Sequence, residues 1–566
     1  MRRAFVNFDG RQVHYRTAGD GAPVVLLHPS PLSSTMVLPV ATEVARRNRV
    51  YALDTPGYGL SDPPPYKPQS LDDYLPIFAS TLDALSLDKV CLYGAATGAQ
   101  LAIEFARRYP ERVTLLVLDT AGHISAEECE TIVNSYFPSV RPKLDGRHLM
   151  TYWHMVRDLN VFFPWSVTKA ANRIPRDVPP ATLMQQFLLD YFRAGMRYDW
   201  AYRPAFYNER AERAQGVTVP AVLTRWAGSI ALPITDALIA AGLPANYTVL
   251  PLDATMADRA KGIADYIAQH FKGQVAPQPP PAAPIASRLH SMLIPVRGGS
   301  LHARVNLQGS GKPMLLLHSS AASAALVEPI AQGWVGRRPV IALDLPGSGE
   351  SDPLLGDDDI SVENYAAVVL EAMAALGIQQ IDVAGRYLGA LVGLEMDRQR
   401  PGSIEQLTFL GVPLFTATEL ADMKANYAPS LAPQPDGTHL VKAWYMMRDQ
   451  ALWFPHFKRT QAAALQSDPN LDAEFVHKRV VEVMKMGDRY QHAYQAEFDY
   501  PLTERLPGAQ CRVLFASAAW EPLLDRLPRA QKLLPTAAVV KLPERFGDWA
   551  RAIDGAQQNA VSNGGR

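Results

Sequence analysis

The 566-residue chain has only three cysteines, Cys91, Cys129 and Cys511. None are spaced as metal pairs and Cys91 lies inside an apolar run, so buried reduced thiols are expected, not a disulfide framework or a zinc site. Long apolar runs are also missing. No stretch reaches the roughly 18 apolar residues of a membrane span, and the opening MRRAFVNFDGRQVHY has no signal core. A cytoplasmic protein is expected, with no membrane partner. Net charge is close to nil: 55 Lys and Arg against 56 Asp and Glu leave −1, which argues against broad attraction to nucleic acid or anionic lipid. There is no dinucleotide fingerprint with its partner acid and no metal-ligand cluster, so no cofactor is implied.

What is present is globular and doubled. Apolar residues make up 48% and charged residues 20%, ordinary values for folded protein, and the length suits two large α/β domains. The Pro-rich stretch GQVAPQPPPAAPIAS (273–287) reads as an extended linker. On either side VVLLHPSP (24–31) matches MLLLHSSA (314–321), and VYALDTPGYGLSDPP (50–64) matches VIALDLPGSGESDPL (340–354). His28 to Asp54 and His318 to Asp344 are both 26 residues apart. The expected organisation is a domain over 1–272 with a cap over about 123–215, the linker, and a domain over 288–566 with a cap over about 414–507. A disordered tail is expected over 555–566. Short apolar runs alternate with amphipathic segments such as SLDDYLPIFASTLDALSL (70–87), which predicts in each domain a mostly parallel sheet flanked by helices. Ligands then bind beyond the carboxyl ends of the strands.

CLYGAATGAQ (91–100) has the form of a nucleophile elbow, G-x-S-x-G, with Ala96 in the serine position; its counterpart, Gly385-Arg386-Tyr387-Leu388-Gly389, carries Tyr387. Each half therefore resembles an α/β-hydrolase domain: a strand ending in HPS or HSS, then D-x-P-G-x-G-x-S-D, then the elbow, then an inserted helical cap. The resemblance implies a Ser-His-Asp triad, and the residues do not supply one in either copy. The strands after the caps offer no aspartate at the expected place, Glu521 being the nearest carboxylate, and VLPLDATMADRAKGIADY and VVKLPERFGDWARAI, where the histidine should follow the last strand, contain none. Asp119 and Gly411 occupy an alternative acid position, where Asp119 reads as a polar strand-end residue. Ser30, Ser33, Ser320 and Ser323 on the opposite wall have no visible base.

The caps match strongly, sharing D-G-x-H-L-x-x-x-W-x-x-x-R-D. His148, Trp153, Arg157 and Asp158 correspond to His439, Trp444, Arg448 and Asp449, and Tyr202 pairs with Tyr494. Retained together, these residues are candidates for binding and proton transfer, with His148, Arg157, Asp158, Tyr387 and His439 as the catalytic set. For each residue alone, helix capping or core packing is the stronger explanation. His28 and His318 are expected to brace the loops bearing Ser30 and Ser320. The donors near Ser30 and at Thr97, and near Ser320 and at Leu388, are then candidate oxyanion holes. Ala96 leaves room for a ligand, while Tyr387 either fills that room or acts as a general acid, so the first half is the better candidate for the working pocket.

Two functions follow. One is an atypical enzyme of this superfamily acting on a small aromatic or apolar molecule by acid–base and oxyanion-hole chemistry: a lyase, a C–C cleaving or cyclising enzyme, or a non-classical hydrolase. The other is a catalytically inactive double pseudo-hydrolase that binds a small molecule or a protein partner. A monomer or dimer suits either; in a third version one half only supports the other, as a covalent mimic of a homodimer.

Overall fold

The first sheet of the computed structural model, which describes residues 1–563, contains β1 (Arg2–Phe8), β2 (Arg11–Ala18), β3 (Pro23–Leu27), β4 (Arg49–Leu53), β5 (Val90–Ala95), β6 (Val113–Asp119), β7 (Ala221–Trp226) and β8 (Tyr247–Leu252). Their order is β1-β2-β4-β3-β5-β6-β7-β8. β2 pairs antiparallel with β1 and β4, and every other pairing is parallel. The second sheet repeats the order with β9 (His290–Val296), β10 (Gly299–Asn306), β11 (Met314–Leu317), β12 (Val340–Leu343), β13 (Ile381–Arg386), β14 (Ile404–Leu410), β15 (Arg512–Ser517) and β16 (Ala538–Lys541).

Every residue of β3, β4, β5, β11 and β12 is buried. That is why these strands read as unbroken apolar runs: helices cover both faces of a parallel sheet, so no alternation is required. Each cap lies between the sixth and seventh strands of its copy and opens on a capping box. Ser125 accepts the Glu128 N–H while the Glu128 carboxylate accepts the Ser125 N–H, and Thr416 and Glu419 do the same.

By packing, Met1–Arg141 and His148–Ala283 form one unit, while Pro142–Arg147 groups with the chain from Pro284 onward. The boundary at 283/284 falls within the Pro-rich stretch. That stretch is tied down on both sides: Ala276 N–H donates to Gly21 O at 2.8 Å, and Asn306 Nδ2 donates to Ala286 O at 2.9 Å.

The expected disordered tail is corrected over 555–563, which belongs to the helix Trp549–Asn563; residues 564–566 lie outside the described residues. The reason lies at the start of that helix. Trp549, Ala550 and Ile553 enter the second core beside Trp334, and Asp554 accepts from Trp334 Nε1 at 3.0 Å and from Arg337 at 2.8 Å. Once docked, a helix start propagates cheaply. Among the described residues, no helix is long and apolar enough to cross a membrane.

Candidate functional site

Ala96 and Tyr387 stand on the sharp bend that joins β5 to the helix Thr97–Arg108 and β13 to the helix Leu388–Gln399. Their φ angles are 49° and 47°, a region that costs an L-residue about 1–2 kcal/mol. The flanking glycines explain why the bend persists. A Cβ on Gly94 would lie 2.2 Å from Gly98 O, and one on Gly98 would lie 2.4 Å from Leu27 O. Gly385 and Gly389 are equally confined, at 2.3 Å from Ala390 N and 2.5 Å from Leu317 O. The Ala96 N–H is held by Asp119 O at 3.0 Å and Thr120 Oγ1 at 2.9 Å. The next N–H, of Thr97 or Leu388, begins a helix, where the backbone favours negative charge.

The opposite wall is set by His28 and His318. Nε2 of His28 accepts the Thr55 N–H at 2.9 Å, so Nδ1 carries the proton and donates to Pro29 O at 2.9 Å. His318 does the same with Leu345 N–H at 3.0 Å and Ser319 O at 2.8 Å. Burial pushes both imidazoles below their ordinary basicity, so they stay neutral. With both nitrogens committed, they brace the loops that carry Ser30 and Ser320. A layer below, Asp54 accepts from His14 Nδ1 at 2.8 Å, Ser34 N at 2.7 Å and Leu60 N at 2.9 Å, and Asp344 has the corresponding contacts. Burial alone would raise the Asp54 carboxyl, but His14 and these donors hold it well below the carboxylate range.

Above this common frame the copies differ. In the second, the Ser320 hydroxyl donates to Glu497 Oε2 at 2.6 Å, and the Leu388 N–H faces the same carboxylate. A cap side chain thus occupies the predicted oxyanion hole. Burial pushes the Glu497 carboxyl up to about 7, against the lowering effect of those two donors. Tyr387 donates its hydroxyl to Glu521, and the Arg386 guanidinium lies 5.1 Å from the Tyr387 ring centroid and 3.6 Å from Glu521. Burial first, and then the Glu521 charge, raises the phenol well above its ordinary range. Tyr387 therefore fills the position as a neutral, already bonded group.

In the first copy Ala96 replaces Tyr387, Ala205 replaces Glu497 and Ser229 replaces Glu521. The correspondence is structural as well as sequential. Tyr198 OH bonds Pro138 O as Tyr490 OH bonds Pro429 O, and Tyr202–Phe206 stack as Tyr494–Phe498 do. Ser30 is only 6% exposed, and its hydroxyl lies beside the Tyr58 phenol. The Tyr58 hydroxyl also donates to Tyr198 O at 3.1 Å and accepts from Ala201 N at 2.8 Å. Tyr202 and Tyr136 share a hydroxyl–hydroxyl bond of 2.8 Å, and burial pushes the Tyr202 phenol up to about 12.

Asp119 is fully buried. It accepts from Tyr93 OH at 2.6 Å, Thr224 Oγ1 at 2.8 Å and both Nε and Nη2 of Arg259, at 2.8 and 2.5 Å. Arg259 lies on the first turn of the helix Met256–His270, which follows the last strand. Sheet register pairs Ala95 with Asp119 and Arg386 with Leu410, so Leu410, and not Gly411, is the counterpart of Asp119.

The shared cap motif is largely structural in its visible contacts. Asp145 and Asp436 accept the N–H two residues on, at 3.2 and 3.0 Å, with Gly146 and Gly437 left-handed between. His439 Nδ1 accepts the Gln434 N–H at 3.1 Å, and burial lowers its basicity to about 4, which makes it a turn-closing acceptor. His148, Trp153 and Trp444 are buried. Arg157 is 48% exposed and pairs with the adjacent Asp158 at 2.9 Å; Asp449 pairs with Arg459 at 2.7 Å and Arg448 at 3.8 Å. These contacts stay at the end of the cap helix. His28 and Ser30 follow β3 while Ala96 and Thr97 follow β5, and His318 and Ser320 follow β11 while Tyr387 and Leu388 follow β13; Tyr202 lies in the cap against Tyr136. Glu497, Glu521 and Arg259 were not legible as site residues, although the unequal column Ala205/Glu497 in otherwise matching segments was the available signal. Among the described residues, no group of three or more His, Cys, Asp or Glu could hold a metal ion.

A parallel sheet ending in a strained strand–helix bend, with a braced donor loop facing it beneath an inserted cap, is the site architecture of a hydrolase fold. The chain belongs to the α/β-hydrolase fold family, whose profile matches residues 22–186 and 312–472, more than half of its length. It is 36% identical over 155 residues to a 2-hydroxy-6-oxo-2,4-heptadienoate hydrolase of Pseudomonas putida, covering 26% of this chain and 55% of that protein. It is 30% identical over 147 residues to a 2-hydroxymuconate semialdehyde hydrolase of a Pseudomonas species, covering 24% and 51%. The chain thus spans about half the length of these curated relatives. A solved meta-cleavage product hydrolase from Pseudomonas fluorescens aligns with 47% of this chain and 97% of its own, at 18% identity and a TM-score of 0.36.

Proposed function

We propose that the chain is an enzyme with one working site, over Ala96 in the first copy, which acts on a small aromatic or apolar carbonyl compound without a serine nucleophile. The carrying observation is the contrast between the copies. The same serine and helix-terminal N–H meet a protein carboxylate in the second, whereas in the first the positions of Tyr387 and Glu497 are both alanine. Donors so arranged stabilise negative charge developing on a carbonyl oxygen, as an enolate or a tetrahedral oxyanion. The Tyr136–Tyr202 pair supplies neutral phenols able to relay a proton, and His148 is the candidate imidazole of the cap. The curated relatives act on compounds whose names carry oxo and aldehyde groups, which supports a carbonyl substrate. C–C cleavage, elimination, cyclisation and non-classical hydrolysis all proceed through such a charge.

Incubating wild type and the Ser30→Ala, Ser320→Ala and His148→Ala variants with esters, lactones and β-dicarbonyl compounds, with products followed by mass spectrometry, tests this. Ser30→Ala is expected to lower turnover about 100-fold and Ser320→Ala to leave it unchanged. Equal damage from both would refute the single-site reading.

One observation favours the alternative of a non-catalytic binder: the polar groups nearest the bend, His28 and Asp119, are committed to structural partners. Saturable binding without turnover of any compound would establish it.

A further inference from the structure

We infer that the first copy takes an aromatic carboxylate as its ligand, because the second copy carries a protein-borne equivalent of one. This deepens the reading of the first site given above and rests on it. In the second copy two side chains fill the volume above the bend: the phenol ring of Tyr387, rising from the bend itself, and the carboxylate of Glu497, on Ser320 Oγ and the Leu388 N–H. Tyr427 meets Tyr494 edge-on at 5.0 Å and Phe498 at 5.8 Å.

The first copy keeps the matching serine, helix-terminal N–H and aromatic wall and lacks the pair, with Tyr58 in place of Ser348 beside the serine. Its donors are the buried Ser30 and the Thr97 N–H. Its wall is Tyr136, Tyr202 and Phe206, with ring centroids 5.0–5.5 Å apart. The residues that would supply ring and carboxylate are Ala96 and Ala205. A free ligand with a benzene ring and a carboxylate one or two bonds away reproduces both at once. Its carboxylate accepts charge-assisted hydrogen bonds from Ser30 and Thr97, and its ring lies over the Ala96 methyl.

The test is calorimetric titration of the full chain with phenylacetate and with its neutral isostere phenylacetamide. One phenylacetate per chain is expected, the amide binding at least about tenfold more weakly, and Ala205→Glu lowering phenylacetate affinity at least about tenfold as the imported carboxylate takes the donors. In a Glu497→Ala chain the emptied donors of the second copy should bind one acetate per chain more than wild type does; this arm holds even if Ala205→Glu fails to fold. Amide binding as tight as the acid, with both lost in Ala205→Glu, overturns the carboxylate inference and leaves the single-site reading standing. Phenylacetate binding unaffected by Ala205→Glu overturns both, and no binding by any variant overturns the inference.

Discussion

The carboxyl of Glu497 titrates in a range where its contribution to stability can be isolated. Its ordinary value of 4.5 is raised to about 7 by burial. Between these values the folded second copy holds a proton that the unfolded chain has released, so stability falls as pH rises from 4.5 to 7 and is level on either side. A difference of about 2.5 pH units corresponds to about 3 kcal/mol. Glu497→Gln keeps an acceptor for Ser320 and the Leu388 N–H but cannot ionise. Urea unfolding of wild type and Glu497→Gln from pH 4.5 to 8, read on the transition that responds to second-copy substitutions, should show the variant gaining about 3 kcal/mol on wild type over that range. Glu209, a first-copy carboxyl raised to about 8 by burial and bonded to the Gly122 N–H, adds a slope of its own, but it is common to both proteins and cancels. Parallel curves for the two proteins would refute the placement of an ionisable Glu497 in the hole.

Other substitutions probe the frame. Arg259→Met strands a fully buried carboxylate on Tyr93 and Thr224 alone, and should cost about 3–5 kcal/mol in chemical denaturation. Ala96→Ser restores the hydroxyl without a base, so hydrolysis of p-nitrophenyl acetate should stay at the wild-type background; an acyl-enzyme detected by mass spectrometry would contradict this. Gly59→Ala places a Cβ 2.0 Å from Asp54 Oδ2 at a φ of 53°, and Asp54 cannot retreat from its three donors. A loss of about 2 kcal/mol or more, seen as a lowered Tm, is expected.

The duplication and the bend were legible because they rest on short-range rules: glycines where a Cβ collides, apolar runs where both faces are covered, a strand passing directly into a helix. The plug was not, because matching the copies drew attention to what GMRYDWAYRPAFY and GDRYQHAYQAEFDY share, whereas the chemistry lies in the column where they differ, Ala205 against Glu497. The cap motif is a different case. Its aspartate accepts the N–H two residues on, its glycine turns left-handed and His439 accepts a backbone N–H; sequence identity does not separate such packing from chemistry. Asp119 looked like an isolated polar residue because its partner, Arg259, comes 140 positions later, and only the sheet topology brings them together.

The two glycine contacts that fix the bend do not involve the side chain standing on it. Position 96 and its counterpart 387 therefore behave as a socket whose shape is set by backbone and whose fitting is interchangeable: a methyl in one copy, a phenol in the other, with φ differing by only a few degrees. A part that can be exchanged without reshaping its housing lets one fold shift between reacting, binding and merely being filled through a single codon. Having two such sockets on one chain lets one be altered while the other is kept.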